Sequence, residues 1–160
     1  MNNKYYSNIF KKVPGNIIHH VPAHTRNFIG CPSIVRIAKN RYLVSHSYFG
    51  KGSKYSETFI YETQDGGKTW FYITKIEDQI WSNIFMSDNT VYLLGTDHCD
   101  NNLGRLNGKI VIRKSLDGGR TWTTAINSKT GLITDKEGYH TAPTCILIFK
   151  NRLWKAFEYA

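Results

Sequence analysis

Long apolar runs are missing from this chain of 160 residues. No stretch approaches the roughly 18 apolar residues that a membrane-spanning helix needs, so the sequence holds no membrane span. The first thirteen residues, MNNKYYSNIFKKV, lack the apolar centre of a secretory signal, which leans the chain weakly toward the cytoplasm. Cysteine is sparse. Cys31, Cys99 and Cys145 lie far apart without a CxxC pair, and an odd number cannot all pair within one chain. A disulfide scaffold and a zinc ribbon are thereby disfavoured, and buried or idle thiols are the simpler reading. Acidic residues are also short: 12 Asp and Glu face 21 Lys and Arg, for a formal charge of +9. That excess invites a nucleic-acid reading. However, the basic residues are scattered, with small groups at Arg36-Lys39-Arg41, Arg113-Lys114 and Lys150-Arg152-Lys155, and no RNP motif, zinc finger or basic helix accompanies them. A basic surface equally attracts acidic ligands, including carboxylated sugars. A convincing amphipathic helix is absent as well; the best segment, Thr74–Ile80, is too short.

What is present is a repeat. Thr63-Gln64-Asp65-Gly66-Gly67-Lys68-Thr69-Trp70 matches Ser115-Leu116-Asp117-Gly118-Gly119-Arg120-Thr121-Trp122, starting 52 residues later. The shared pattern is [ST]-x-D-G-G-[KR]-T-W. A second match, offset by 111 residues, joins Pro32-Ser33-Ile34 through Arg41 to Pro143-Thr144-Cys145 through Arg152. A weaker middle copy falls on Ser82-Asn83-Ile84, followed by Asp88-Asn89 and Val91-Tyr92-Leu93-Leu94.

Short β-branched and aromatic runs alternate with Gly, Asn and Asp. They predict strands near 32–37, 41–47, 57–63 and 69–74, then 80–86, 90–95, 108–115 and 121–126, then 143–149 and 152–158. Four strands per period of roughly 50 residues is the pattern of a β-propeller. The expected architecture is therefore all-β: an N-terminal segment over 1–27, serving as an outer or ring-closing strand, then a partial propeller over 28–160. Its four-stranded units fall near 32–74, 80–126 and 143–160. Two and a half units cannot close a ring of about 4–8. The expectation is a portion of a longer protein, or copies that associate through open apolar edges.

The D-G-G-x-T-W segment is turn chemistry. Glycine takes positive φ without a Cβ clash, and the Asp carboxylate accepts backbone N–H groups inside the turn. The Trp that follows can bury about 150–250 Å², worth at most about 4–6 kcal/mol. Asp65, Gly67, Thr69, Trp70, Asp117, Gly119, Thr121 and Trp122 are thus expected to hold the fold rather than to react.

These segments resemble the Asp boxes, or bacterial neuraminidase repeats, of the sialidase superfamily. Gly30-Cys31-Pro32-Ser33-Ile34-Val35, Leu94-Gly95-Thr96-Asp97, Ile110 to Ser115 and Tyr139-His140-Thr141-Ala142-Pro143 are also similar to sialidase-like proteins, so the likeness covers about residues 28–158. The resemblance implies six blades, with sugar bound at one end of the axis and Asp boxes at the other. It also implies arginines that clamp a sugar carboxylate, a carboxylic acid that moves a proton, and a Tyr nucleophile assisted by Glu.

Mapping the sugar-binding end onto this chain selects loops entering first strands and leaving second strands. Asp97 and Glu158 become the candidate catalytic acids. Arg26, His46, Tyr48, Trp81, Tyr139 and His140 become the candidate sugar contacts. Each has a plainer alternative: an exposed carboxylate, a satisfied histidine at a strand end, an aromatic ring packed in the rim, a solvated arginine. Gly30 stands where the family places its first clamp Arg, and Ser45-His46-Ser47-Tyr48 holds no Asp where the family places its acid. His19-His20 with His24 lacks a converging Cys or acid, so no metal is expected, and no cofactor pattern is seen. The sequence thus supports part of a sialidase-like glycoside hydrolase acting on acidic sugar termini, inactive alone. The alternative is a non-catalytic propeller that binds glycan or protein.

Overall fold

The computed structural model describes residues 14–98, 108–142 and 144–159; Cys99, Pro143 and residues 1–13 of the N-terminal segment lie outside them. Strands β1 (Phe28–Ala38), β2 (Arg41–Phe49), β3 (Glu57–Thr63) and β4 (Phe71–Glu77) form one antiparallel sheet in the order β1-β2-β3-β4. Strands β5 (Ile80–Ser87), β6 (Thr90–Thr96) and β7 (Ile110–Ser115) form a second sheet in chain order. The chain is all-β with antiparallel sheets, none closed into a barrel. Among the described residues the one helical piece is a 3-10 turn, Ala23–Thr25. Two-residue turns join the hairpins. Asp88 and Asn89 both sit at positive φ, as do Lys150 and Asn151. Such mirror-image turns follow the right-handed twist of the flanking strands, and Asn tolerates the conformation.

Alternation along the strands decides what is buried. Leu43, Ile60 and Ile76 of the first sheet meet Ile84, Val91 and Leu93 of the second, with Val35, Ile37, Ile73 and Trp122 packed around them. The core therefore lies between two sheets that face each other. Arg113 on β7 locks the connection between them. Its guanidinium donates to Gln79 Oε1 (2.8 Å) and to the carbonyls of Glu77 (3.1 Å) and Asp78 (3.0 Å). Glu62 adds a second tie. It is buried on β3, takes hydrogen bonds from Arg41 and Gln64, and takes one from Arg120 of the second sheet's turn at 3.0 Å. Burial pushes its carboxyl upward, but these donors and the two arginine charges outweigh it and hold the pKa below the ordinary value.

The two D-G-G-x-T-W turns are built alike. Asp65 Oδ1 accepts from the amides of Lys68 (2.9 Å) and Thr69 (3.0 Å), and Oδ2 accepts from the Thr69 hydroxyl (2.6 Å). Asp117 repeats this with Arg120, Thr121 and the Thr121 hydroxyl. Trp70 and Trp122 donate their indole N–H to the carbonyls of Gly67 and Gly119 at 3.0 and 2.9 Å. Gly119 has φ 91°, and a Cβ there would stand 2.8 Å from Leu43 Cδ1, so the second turn presses directly on the first sheet.

Hydrogen bonds from the threonine side chain and amide, joined by those from the residue opening the turn, hold both Asp carboxyls well below the usual range. A depressed acid stabilises the fold above its unfolded pKa of about 3.9 and loses that contribution as pH falls further. Asp117→Ala should therefore lower the urea midpoint at pH 7 more than Asp117→Asn does. It should also flatten the loss of stability between about pH 4 and pH 2, which chemical denaturation across pH would measure. An unchanged acid limb would remove Asp117 from this role.

Three expected strands differ. The fourth strand of the second unit, expected over 121–126, does not form. The outer edge of β7 is taken by 131–133 instead: Ile112 N–H bonds Gly131 O and Ile133 N–H bonds Ile110 O, each at 2.8 Å. Gly131, at φ 114°, makes this approach possible, because a Cβ there would collide with the Ile112 carbonyl. Nearer the turn, the Thr123 hydroxyl takes the Lys114 N–H, and Arg113 takes the Thr123 carbonyl.

The last two expected strands, near 143–149 and 152–158, shorten to β9 (Leu147–Phe149) and β10 (Arg152–Trp154), flanked by the short strands β8 (Tyr139–His140) and β11 (Glu158–Tyr159). β9 pairs with β10 and β8 with β11, as one interrupted hairpin. At the interruption, side chains occupy the backbone carbonyls: Thr141 Oγ1 donates to Ala156 O, and Lys155 Nζ donates to Ala142 O and Thr144 O.

Candidate functional site

β1 and β5 are irregular at matching places. The pairing of β1 with β2 shifts between Gly30 and Ser33, and that of β5 with β6 shifts between Ile80 and Asn83. Cys31 (φ 51°) and Trp81 (φ 53°) occupy these bulges in the left-handed region, which side-chain-bearing residues rarely adopt. A bulge re-aims a side chain. Here it turns Trp81 toward the last hairpin, where its ring meets His140 edge-on at 5.2 Å. His140 Nδ1 lies 3.3 Å from Glu158 Oε2, and Tyr139 packs edge-on against Tyr159 at 5.3 Å. β8 is itself anchored by paired backbone bonds between Tyr139 and Gly108.

Trp81, Tyr139, His140 and Glu158 thus form one cluster from two sheets. Strand register puts it at the end away from the D-G-G turns, because Ile80 pairs with Thr96 at one end of β6 while Val91 pairs with Ser115 at the other. Trp81 offers an aromatic face, and its buried indole N–H has no hydrogen-bond partner among the described residues. Glu158 is three-quarters exposed and His140 about one-fifth, so the pair is open to a ligand. Such a set can stack on a sugar ring and exchange hydrogen bonds, or a proton, with its hydroxyls.

Asp97 sits at the same end but is occupied. Its Oδ1 accepts from the amides of His98 and Lys109, both at 2.8 Å, and His98 Nδ1 lies 2.9 Å away. It closes a loop as an Asx cap does. Arg26 lies exposed at the end of the 3-10 turn in the left-handed region, and its backbone carbonyl receives Gly52 N–H.

His46 and Tyr48 are not in the Trp81 cluster. They lie on the face of β2 turned away from the second sheet. His19 Nε2 lies 2.7 Å from the Tyr48 hydroxyl, and His19 Nδ1 lies 2.8 Å from the Tyr61 hydroxyl. The His19 and His46 rings stack at 5.2 Å. Sequence reasoning read His19 only as a weak metal candidate. Its partners are 29 and 42 residues away, and no local pattern announces them. Among the described residues no group of three His, Cys, Asp or Glu side chains could hold a metal ion.

Lys155 was also missed, having been counted with the scattered basic residues. Its Nζ donates to Asn83 Oδ1 (2.7 Å) and Thr144 Oγ1 (2.8 Å) as well as to the two carbonyls, tying the last hairpin to β5. Burial lowers its pKa against the opposing pull of Cys31 and Cys145. Burial likewise drives the Cys31 thiol up to about 11, with Lys155 opposing, so Cys31 stays a protonated, unreactive thiol at neutral pH. No local signal marks Lys155, because its partner Asn83 is 72 residues away in the chain.

No family model matches the chain, and no curated protein matches it in sequence. No helix among the described residues is long and apolar enough to cross a membrane.

Proposed function

We propose that the chain is a carbohydrate-binding scaffold of sialidase-like propeller type, with the Trp81–His140–Glu158 cluster as its sugar-contacting rim. The observation that carries this is the convergence of those three side chains from β5, β8 and β11, at the end opposite the duplicated Asp turns. The duplicated turns support a radial arrangement of like sheets, since Gly119 and Arg120 of one reach Leu43 and Glu62 of the neighbouring sheet. The net charge of +9 favours an acidic sugar terminus over a neutral one.

Hydrolysis is the second reading, and Glu158 supports it as an exposed carboxyl paired with an imidazole. Proton transfer to a leaving oxygen needs such a positioned acid. Asp97 does not fit that role as it stands, because its carboxylate already serves two backbone amides.

Binding is tested by saturation-transfer NMR and calorimetry with a sialyl-lactose probe, set against neutral lactose. Trp81→Ala should weaken sialyl-lactose about tenfold through loss of ring stacking. Glu158→Gln should leave binding within about threefold and abolish turnover of a fluorogenic sialoside if the chain is a hydrolase. Binding without turnover in the folded wild type selects the binding module. Failure of the folded protein to bind either sugar overturns the proposal.

A further inference from the structure

Residues 14–20 have no sheet partner of their own, yet they lie across the face of β2 and β3 that points away from the second sheet. Asn16 Nδ2 donates to Gly67 O at 2.7 Å, and His19 inserts between Tyr48 and Tyr61. Beneath His19 lies His46, which is 3 % exposed. Its ring stacks on His19, Phe59 and Tyr61 and lies 5.2 Å from the tilted ring of Tyr48. Neither His46 nitrogen makes a full hydrogen bond. We propose that this strap is a proton-gated closure: it seals the first sheet while the stacked His19–His46 pair is neutral, and it detaches when the pair takes up a proton.

The hydrogen bonds dictate the direction. A neutral imidazole donates from one nitrogen and accepts at the other. One tyrosine therefore donates its O–H to His19 while the other accepts from it. Protonation removes the accepting lone pair: the new N–H turns to that tyrosine's oxygen, and the tyrosine's own O–H is left to find another acceptor beside a charge held in an aromatic, part-buried site. A charge on His46 fares worse, since only the Ser47 backbone favours it and it stands one ring-stack from a second imidazole.

The surrounding groups do not offset this. Tyr48 and Tyr61 are both shifted upward, chiefly by burial and Tyr61 to about 12, and remain neutral. Tyr72 on β4 meets Tyr61 edge-on. His20 on the strap adds like charge to His19. Glu57 on β3 acts on Tyr48 but is itself paired with Lys75 at 2.7 Å and with Lys54 at 3.5 Å.

Burial, then the neighbouring imidazole, lowers His46 to about 4, and burial, then His20, lowers His19. The Ser47 backbone opposes the His46 shift only in part. A lowered histidine pKa means that folding favours the neutral form. Closure is complete above the unfolded value of 6.5 and is lost as pH falls from there toward about 4. Weakly held segments open well before the sheets beneath them.

The test is NMR on the full chain between pH 7.5 and 4.5, following the amides of Asn16 to His20 and the two imidazoles, with circular dichroism reporting the sheets. The strap amides should move toward random-coil positions as pH falls from 6.5 to 4.5, in step with imidazole protonation, while the strand signal holds. His46→Phe keeps the stacking and removes the buried base, so release should shift down by a pH unit or more. Should that variant misfold, His19→Gln serves: it keeps one donor and one acceptor without titrating, and release should disappear from the range. Strap amides that stay put from pH 7.5 to 4.5 overturn the proposal. So does an unchanged midpoint in either folded variant.

Discussion

Arg113→Met should melt about 10 °C below the wild type, the largest loss expected from any polar replacement in this chain. The reason is what the guanidinium leaves behind. Arg113 is 8 % exposed, and its partners are the buried Gln79 side chain and the carbonyls of Glu77, Asp78 and Thr123. Gln79 is fully buried and has its own commitments. Its Nε2 donates to Leu93 O, and its carbonyl accepts from Thr58 Oγ1. Methionine fills similar space but satisfies none of these acceptors, and stripping one partner from a buried polar network costs about 3–5 kcal/mol. For a chain of this size each kcal/mol is worth about 3 °C. Arg113→Lys should recover less than half of the loss, because an ammonium lacks the planar fork that reaches Gln79 and two successive carbonyls together. Differential scanning calorimetry checks both variants. A shift under about 2 °C in Arg113→Met would show that the turn between the sheets stands without this residue.

Leu93→Ala should be comparably severe, by a different mechanism. Leu93 is fully buried and belongs to the cluster of Leu43, Ile60, Ile76, Ile84 and Val91 that joins the two sheets. Truncation removes transfer free energy and leaves a cavity, together about 2–5 kcal/mol. Two rigid antiparallel sheets cannot close over such a gap as a loop could, so the upper part of that range is expected. Urea denaturation should show a lower midpoint with an unchanged m-value, since the surface exposed on unfolding is the same. Leu93→Met should lose less than about 1.5 kcal/mol, because its volume is nearly conserved. A Leu93→Ala protein as stable as wild type would mean that the sheets do not share this core.

Much of the local organisation was legible before any coordinates. Short β-branched and aromatic runs between Gly, Asn and Asp identified strands such as 41–47, 80–86 and 90–95, because those residue types suit extended backbone and the others punctuate it. The paired D-G-G turns were legible because their bonds form within five residues. Asp65 and Thr69, or Asp117 and Thr121, meet whatever the rest of the chain does. The end of the sheets opposite those turns was legible too, as a consequence of strand direction, and Trp81, Tyr139, His140 and Glu158 fall there.

What sequence order did not show shares a cause. The segment 121–126 reads as a strand, but 131–133 takes the β7 edge through a close approach that Gly131 permits, a competition between two segments that periodicity cannot arbitrate. His46 and Tyr48 were assigned to the sugar rim from their position along β2. Strand position sets the level along the sheet, whereas packing sets what covers each face, and His19 covers theirs. Asp97 was chosen as an acid for its place after β6; its carboxylate instead caps its own loop. Lys155 looked like one more surface charge until Asn83 and three backbone or hydroxyl oxygens of the last hairpin closed around it.

Residue order alone therefore settled the strand class, the turn chemistry and the direction in which each strand runs, since all three depend on dihedral preference and bonds between near neighbours. Tertiary packing decided which segment takes each sheet edge, which face each histidine seals, and that Trp81 meets His140. Those outcomes depend on contacts 19 to 72 residues apart in the chain. Their closure entropy is met only when the whole hydrophobic interface forms, and no window of sequence contains that sum.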